Sequence, residues 1–270
     1  MASHKPQLGE KTEYPTRYDP ELLVSIPRSE GRANLPGKHT LHGYDLWTAY
    51  ELSWLTPAGK PCVAVGEFEV DCGSAAIVES KSLKLYLNSL NQAAFATSDE
   101  LAETLRRDLG AAFGGPVKVV LYDLESYAKR GFGTFEGICL DDLDVACTAY
   151  HPDSTLLHSD PAQQISETLY SHLLKSNCPV TGQPDWASLA VTYRGSAIDR
   201  EGLLRYLVSF RDHQDFHEQC VERIFCDIMA RCAPQELSVY ARYTRRGGLD
   251  INPFRGTSPA SPGAVRIARQ

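Results

Sequence analysis

Cys178 is the residue in this chain best placed to do covalent chemistry. It lies in Ser176-Asn177-Cys178-Pro179, followed by Thr181-Gly182-Gln183-Pro184-Asp185-Trp186, and is the only one of the eight cysteines in so polar and turn-prone a setting. A thiolate is an effective nucleophile. Asp185, across a stretch holding Gly182 and Pro184, can fold back to serve as its general acid or base. The plainer alternatives are an unreactive loop thiol and an aspartate that caps a turn.

Three further groups carry binding chemistry. In Glu79-Ser80-Lys81 the serine stands where a helix would start, so first-turn amides and Lys81 together can hold a phosphate. Glu79 can accept hydrogen bonds from the N–H edge of a purine-like ring. The alternatives are a serine cap, a solvated lysine and a surface carboxylate. His217-Glu218 falls on a helical stripe with Val221, Phe225 and Ile228, where a carboxylate is costly unless paired or in contact with a ligand. Taken alone, His217 is more often a satisfied core histidine; the adjacent His217-Glu218 pair favours a ligand site. Arg245-Arg246-Gly247-Gly248 suits a close backbone approach to phosphate, or a solvated turn. No Gly-x-Gly-x-x-Gly, Gly-x-x-x-x-Gly-Lys or His-Glu-x-x-His occurs, so a dinucleotide is not held in the Rossmann manner. No Cys-x-x-Cys pair or zinc spacing is present, and no metal is expected.

The elements that must position these groups follow from periodicity. At 43% hydrophobic and 23% charged, the 270 residues describe a globular chain. Acidic side chains outnumber basic ones 34 to 27, which argues against a polynucleotide partner. There is no apolar run of about eighteen residues to span a membrane. Met1 to Gln7 has no signal-peptide core, so the expected location is cytoplasmic. The proline-bearing residues 1–40 read as an arm. Strands are predicted at 47–55, 62–71, 117–122, 135–140, 188–193 and 237–243. Helices are predicted at 80–91, 98–108, 163–175, 200–210 and 213–232. The order strand, strand, helix, helix, strand, strand recurs weakly, with a join near 150–165. On this reading Cys178 sits in a loop just past a helix end.

Together these segments resemble the NADPH-dependent 7-cyano-7-deazaguanine reductases of queuosine biosynthesis, in their long two-module form. The resemblance rests on Glu79-Ser80-Lys81-Ser82-Leu83-Lys84-Leu85-Tyr86, on Leu174 to Pro179 with Gln183 to Trp186, on Phe216 to Arg223, and on Tyr243 to Asp250. It implies an α+β fold of tandem tunnelling-fold (T-fold) modules, antiparallel sheets backed by helix pairs. The modules would span 41–155 and 156–270 behind an arm at 1–40, in a homodimer. It implies Cys178 as the nucleophile that forms a thioimide with a nitrile, and Asp185 as the proton donor. Glu79, His217 and Glu218 would hold the deazaguanine ring, lined by Ile77 and Val78. Ser80, Lys81, Arg246 and Gly247 would contact NADPH, two of which are spent per amine formed. Two other classes stay open: a cysteine-dependent nitrile or amide hydrolase, and a non-catalytic purine or pterin binder on the same scaffold.

Overall fold

A computed structural model describes residues 14–37, 39–259, 262–263 and 266–270. The start of the arm, including Met1 to Gln7, lies outside the described residues. The rest of the arm holds a short strand β1 (Ser25–Pro27) and a helical turn α1 (Arg28–Arg32). Then come β2 (His42–Leu55), β3 (Pro61–Asp71), β4 (Ala76–Val78), α2 (Ser80–Ser89), α3 (Ser98–Phe113), β5 (Val117–Tyr122), α4 (Leu124–Ala128) and β6 (Ile138–Cys139). The chain continues with β7 (Ser159–Asn177), β8 (Pro184–Ile198), α5 (Arg200–Val208), α6 (His217–Cys232), β9 (Glu236–Tyr243) and β10 (Leu249–Gly256). One eight-stranded sheet runs β5-β3-β2-β10-β9-β8-β7-β6, antiparallel except at the short β6–β7 pairing. The fold is α+β, with helix pairs packed on an antiparallel sheet.

Two apolar clusters fill the space under the helices. One joins Leu83, Tyr86, Leu101 and Leu105 of α2 and α3 to Trp47, Phe68 and Val119 of the sheet. The other joins Leu203, Tyr206, Val221 and Phe225 of α5 and α6 to Leu169, Leu189 and Val239. They meet where β10 pairs with β2 from Leu249↔Ala49 to Gly256↔His42. That seam joins the first and last long strands of the chain, and β10 is an element the periodicity does not announce. Its Asp250, Asn252, Asn-Pro junction and Arg255 look like loop, yet every residue of Leu249–Gly256 is buried.

The structure corrects one expectation near the nucleophile. Residues 163–175 form no helix; they lie within the nineteen-residue strand β7. The spacing of Ile165, Leu169 and Leu173 by four fits one helix face, but four is also an even number, which fits one strand face. A register shift between Ser171 and Leu174 then turns Leu174 into the core and leaves Leu173 exposed. Cys178 therefore follows a strand end. The strand expected at 135–140 shrinks to Ile138–Cys139, and that at 188–193 grows to Pro184–Ile198.

A buried ionic network ties α6 to the sheet and the arm. Arg255 Nη1 lies 2.8 Å from Asp45 Oδ1, and its Nη2 lies 2.9 Å from Glu222 Oε1. Arg28 Nη2 donates to Asp45 Oδ2 at 2.6 Å, and Arg32 donates twice to Glu222, at 2.7 and 2.8 Å. Burial works against the charge on Glu222. Arg255, Arg32 and Arg28 outweigh it and hold the carboxyl down at about 2. Removing one partner strands the others in the interior, so Glu222→Gln should cost about 3 kcal/mol in chemical denaturation. Because the folded-state pKa is depressed, this contribution is complete above the unfolded value near 4.5. It should fade as pH falls toward 2, and the variant should lack that part of the acid sensitivity.

Candidate active site

Residues 178–183 close the β7–β8 hairpin. Cys178 N–H donates to Gln183 O and Gly182 N–H to Cys178 O, both at 2.9 Å. Gly182 takes φ +69°, a left-handed conformation that suits glycine and lets this loop turn back on itself. The same strand end is pinned to the segment ahead of α6: Asn177 N–H donates to His213 O at 2.8 Å, and Asp215 N–H to Asn177 O at 3.1 Å. Two backbone bonds thus bring the first turn of α6, with His217 and Glu218, alongside the cysteine.

The Cys178 thiol ionises more readily than an ordinary cysteine. Burial of the sulfur opposes the charge. The Thr181 hydroxyl, the backbone N–H groups of Thr181 and Val180, and the Arg246 guanidinium outweigh burial and lower the pKa below the ordinary cysteine value. Elsewhere burial does prevail: it raises the thiols of Cys226 and Cys232 to about 11, and those of Cys72 and Cys220 upward as well. One cysteine is activated and four are silenced.

Asp185, the second residue of β8, is buried beside it. Its Oδ2 lies 3.4 Å from His217 Nε2 and its Oδ1 lies 3.3 Å from Arg246 Nη2. His217 is held flat on Tyr243, ring centroids 3.9 Å apart. Arg246 also donates to Gln183 Oε1 at 3.0 Å, so it touches the loop, the acid and the sulfur. Its neighbour Arg245 turns away and stacks on Tyr50. Of the arginine pair only Arg246 serves the site.

Cys178, Ser80, His217, Arg246 and Ile251 line two adjoining spaces. The outer is a cleft of about 230 Å³ with Glu79, Lys81, Lys84 and Gly247 along its wall. The inner pocket holds Asp185, Glu218, Val78 and Trp47 and is closed down to about 10 Å³, room for about one water. Glu218 is buried there. Burial and repulsion from Asp45 push its carboxyl up to about 8, against the pull of Arg28 and Arg255.

Two expectations change in detail. The helix cap before α2 is Glu79 and not Ser80: its carboxylate accepts from Lys81 N–H and Ser82 N–H, both at 2.8 Å. Those amides are therefore occupied, and the cationic side chains Lys81, Lys84 and Arg246 are the groups left to meet a phosphate. Gly247 takes φ +61°, the left-handed conformation that favours glycine, and it lies against the flexible end of Lys84. Val78 lines the inner pocket, whereas Ile77 lines neither space, as strand alternation requires. Sequence reasoning passed over Trp47, Thr181, Tyr243 and Asp215. Thr181 was the legible one, since a hydroxyl three residues beyond a loop cysteine is within reach of its sulfur.

Three comparisons bear on this arrangement. Residues 14–121 match the family described as nitrile reductase, 7-cyano-7-deazaguanine-reductase N-term, and residues 184–261 match one described as QueF-like protein. A protein named NADPH-dependent 7-cyano-7-deazaguanine reductase from Dechloromonas aromatica (strain RCB) is 55% identical over 99% of this chain and 96% of its own length. One of the same name from Azoarcus sp. (strain BH72) is 57% identical over 93% of this chain and 90% of its own. The apo archaeosine synthase QueF-Like structure aligns with 37% of this chain and 96% of its own, at 19% identity and a TM-score of 0.31, too partial a likeness to bear on the fold.

Alkylation tests the thiol directly. With iodoacetamide at pH 7, Cys178 should be modified well ahead of Cys72, Cys220, Cys226 and Cys232, as read by peptide mass mapping. Thr181→Val should raise its apparent pKa and slow the reaction several-fold at that pH, with little change above pH 10.

Proposed function

The chain belongs to the 7-cyano-7-deazaguanine reductase family, and from that premise we propose that Cys178 carries out nitrile reduction as a covalent nucleophile. The enzyme is an NADPH-dependent 7-cyano-7-deazaguanine reductase, the nitrile reductase of queuosine biosynthesis. The observation that supports the mechanism best is the convergence of Cys178, Asp185 and Glu218 on one pocket beside a cation-lined cleft.

A guanine-like ring presents neighbouring N–H donors, and buried Glu218 with Glu79 at the rim supplies the matching acceptors. His217 packs beside them on its tyrosine shelf. The inner pocket is smaller than a bicyclic base, so its walls withdraw as the base enters. The Cys178 thiolate then adds to the nitrile carbon. A C–S bond forms, one C≡N π bond breaks, and Asp185 gives its proton to nitrogen, so no localised nitrogen anion builds up. The product of this step is a thioimide. Lys81, Lys84, Arg246, Ser80 and Gly247 would hold NADPH, and each of two NADPH molecules bound in turn would supply one hydride. After the carbon is reduced to a hemithioaminal, the Cys178 sulfur leaves as thiolate and an imine remains. The groups that stabilise the thiolate for attack also make it a good leaving group. The sum is nitrile, two NADPH and two protons to a primary amine and two NADP⁺.

The finer surroundings belong to the same reading. A net charge of −7 suits a free base better than a polynucleotide. The outer strands β5 and β6 leave edges that a second copy can cover, which supports a homodimer. All eight cysteines are free, which fits a reducing cytoplasm. Among the described residues no helix is long and apolar enough to cross a membrane.

Intact-mass measurement with the cyano base and no NADPH should show one adduct on Cys178. Cys178→Ala should bind the base but neither form the adduct nor turn over. Acid product without NADPH oxidation would point to a hydrolase instead. A second outcome follows from Glu218. Ring recognition uses its carboxylate, which is mostly protonated below about 8. Base affinity of the Cys178→Ala protein should therefore rise by up to about tenfold per unit as pH climbs from 6 to 8, then level off. Calorimetry reads this, and Glu218→Gln should bind more weakly with a flat profile.

A further inference from the structure

Trp47 stands out in the inner pocket. It is fully buried on β2, directly across from Phe68 of β3 and Ile251 of β10. Its ring meets Phe113 edge-on at 6.1 Å between centroids. It lines the same narrow space as Glu218 and Asp185. Packing against its neighbours accounts for the burial of the indole, but not for its single polar atom. Nε1–H is buried and has no hydrogen-bond partner among the described residues. A phenylalanine would fill an apolar seat of this kind without stranding a donor, and native interiors rarely leave such a group unpaired.

The pocket's remaining chemistry says what is missing. In the ionised form that binds the base, Glu218, like Glu79, only accepts hydrogen bonds, and so matches the N–H groups of a deazaguanine. That leaves the ring's own acceptors, its carbonyl oxygen and the ring nitrogen of its six-membered half, in need of a donor. The Arg246 guanidinium is turned to Asp185 and Gln183. His217 Nε2, 3.4 Å from Asp185 Oδ2, is the second buried ring nitrogen of this pocket with no hydrogen-bond partner among the described residues, and it faces the acid. An indole N–H can donate and cannot accept, so it discriminates by the kind of atom it faces.

We infer that Trp47 is a specificity residue whose indole N–H donates a hydrogen bond to an acceptor on the six-membered ring of the bound base, an inference that rests on the base occupying this pocket. A ligand lacking that acceptor leaves the N–H buried and unpaired, and an unpaired buried donor is what allows a site to reject close analogues.

The test keeps the shape and removes the proton. Placing β-(3-benzothienyl)alanine at position 47 exchanges N–H for sulfur in an otherwise similar ring, and Trp47→Phe is the genetic counterpart. Base binding is measured by calorimetry on the Cys178→Ala background, with melting temperature and NADPH binding as checks on folding. Both variants should bind the cyano base about tenfold more weakly while retaining NADPH affinity. Two analogues complete a double cycle: a 3-deaza base, which loses the ring nitrogen, and a 6-thio base, which weakens the carbonyl acceptor. Loss of affinity that is non-additive with either analogue supports the hydrogen bond. Full additivity with both, or unchanged affinity of the benzothienyl protein, overturns it. The underlying reading fails in a different place: the parent Cys178→Ala protein would then not bind the cyano base at all.

Discussion

Arg255 is the charge around which this molecule is organised. It is fully buried, carries its full charge, and spans Asp45 on β2 and Glu222 on α6. Its own strand, β10, closes the seam between the two halves of the sheet. Arg28 and Arg32 complete the set from the arm, so three guanidinium groups share two carboxyl groups. An interior arrangement of that kind gives little net stability but strongly penalises any misplacement of its parts. Helix α6 is accordingly fixed in rotation and height, and His217 and Glu218, one turn before Glu222, are fixed with it.

The same network sets the chemistry of Glu218. The excess of arginine charge nearby pulls its carboxyl toward ionisation, while burial and Asp45 push the other way, and the push is the stronger. The group is left with a titration close to neutrality, where contact with a ring N–H edge can change its state at modest cost. Arg246 does comparable work on the other wall. One side chain steadies the sulfur, faces the acid and ties down the loop, so a lysine there would lose the planar fork that makes three contacts possible.

Among the described residues, the candidate site lies where the two halves of the chain meet. Trp47, Val78 and Glu79 come from the first half; Cys178, Asp185, His217 and Arg246 come from the second. The hairpin loop and the start of α6 are joined by backbone bonds at Asn177, and the sheet seam brings the α2 wall opposite them. Loss of the seam would leave each half with part of the lining and no pocket.

Much of the site was legible because its chemistry is local. A cysteine before proline in a polar turn, an acid beyond the turn and a His-Glu pair on an apolar stripe are all set by neighbours within one element. The structure places Cys178, Asp185, His217 and Glu218 together. The pairs of helices and most strands were legible for the same reason, since periods of 3.6 and 2 are short-range properties. What the sequence could not decide is non-local. A spacing of four served helix and strand alike until a bulge separated Leu173 from Leu174. The polar-looking β10 became central strand only because Arg255, Asp250 and Asn252 find buried partners far along the chain. The capping role of Glu79, the orphaned N–H of Trp47 and the burial of Glu218 depend on what lies across the sheet. Residue identity determined which reactions were available; desolvation and pairing between distant strands decided which groups were charged, which were silent and which faced the pocket.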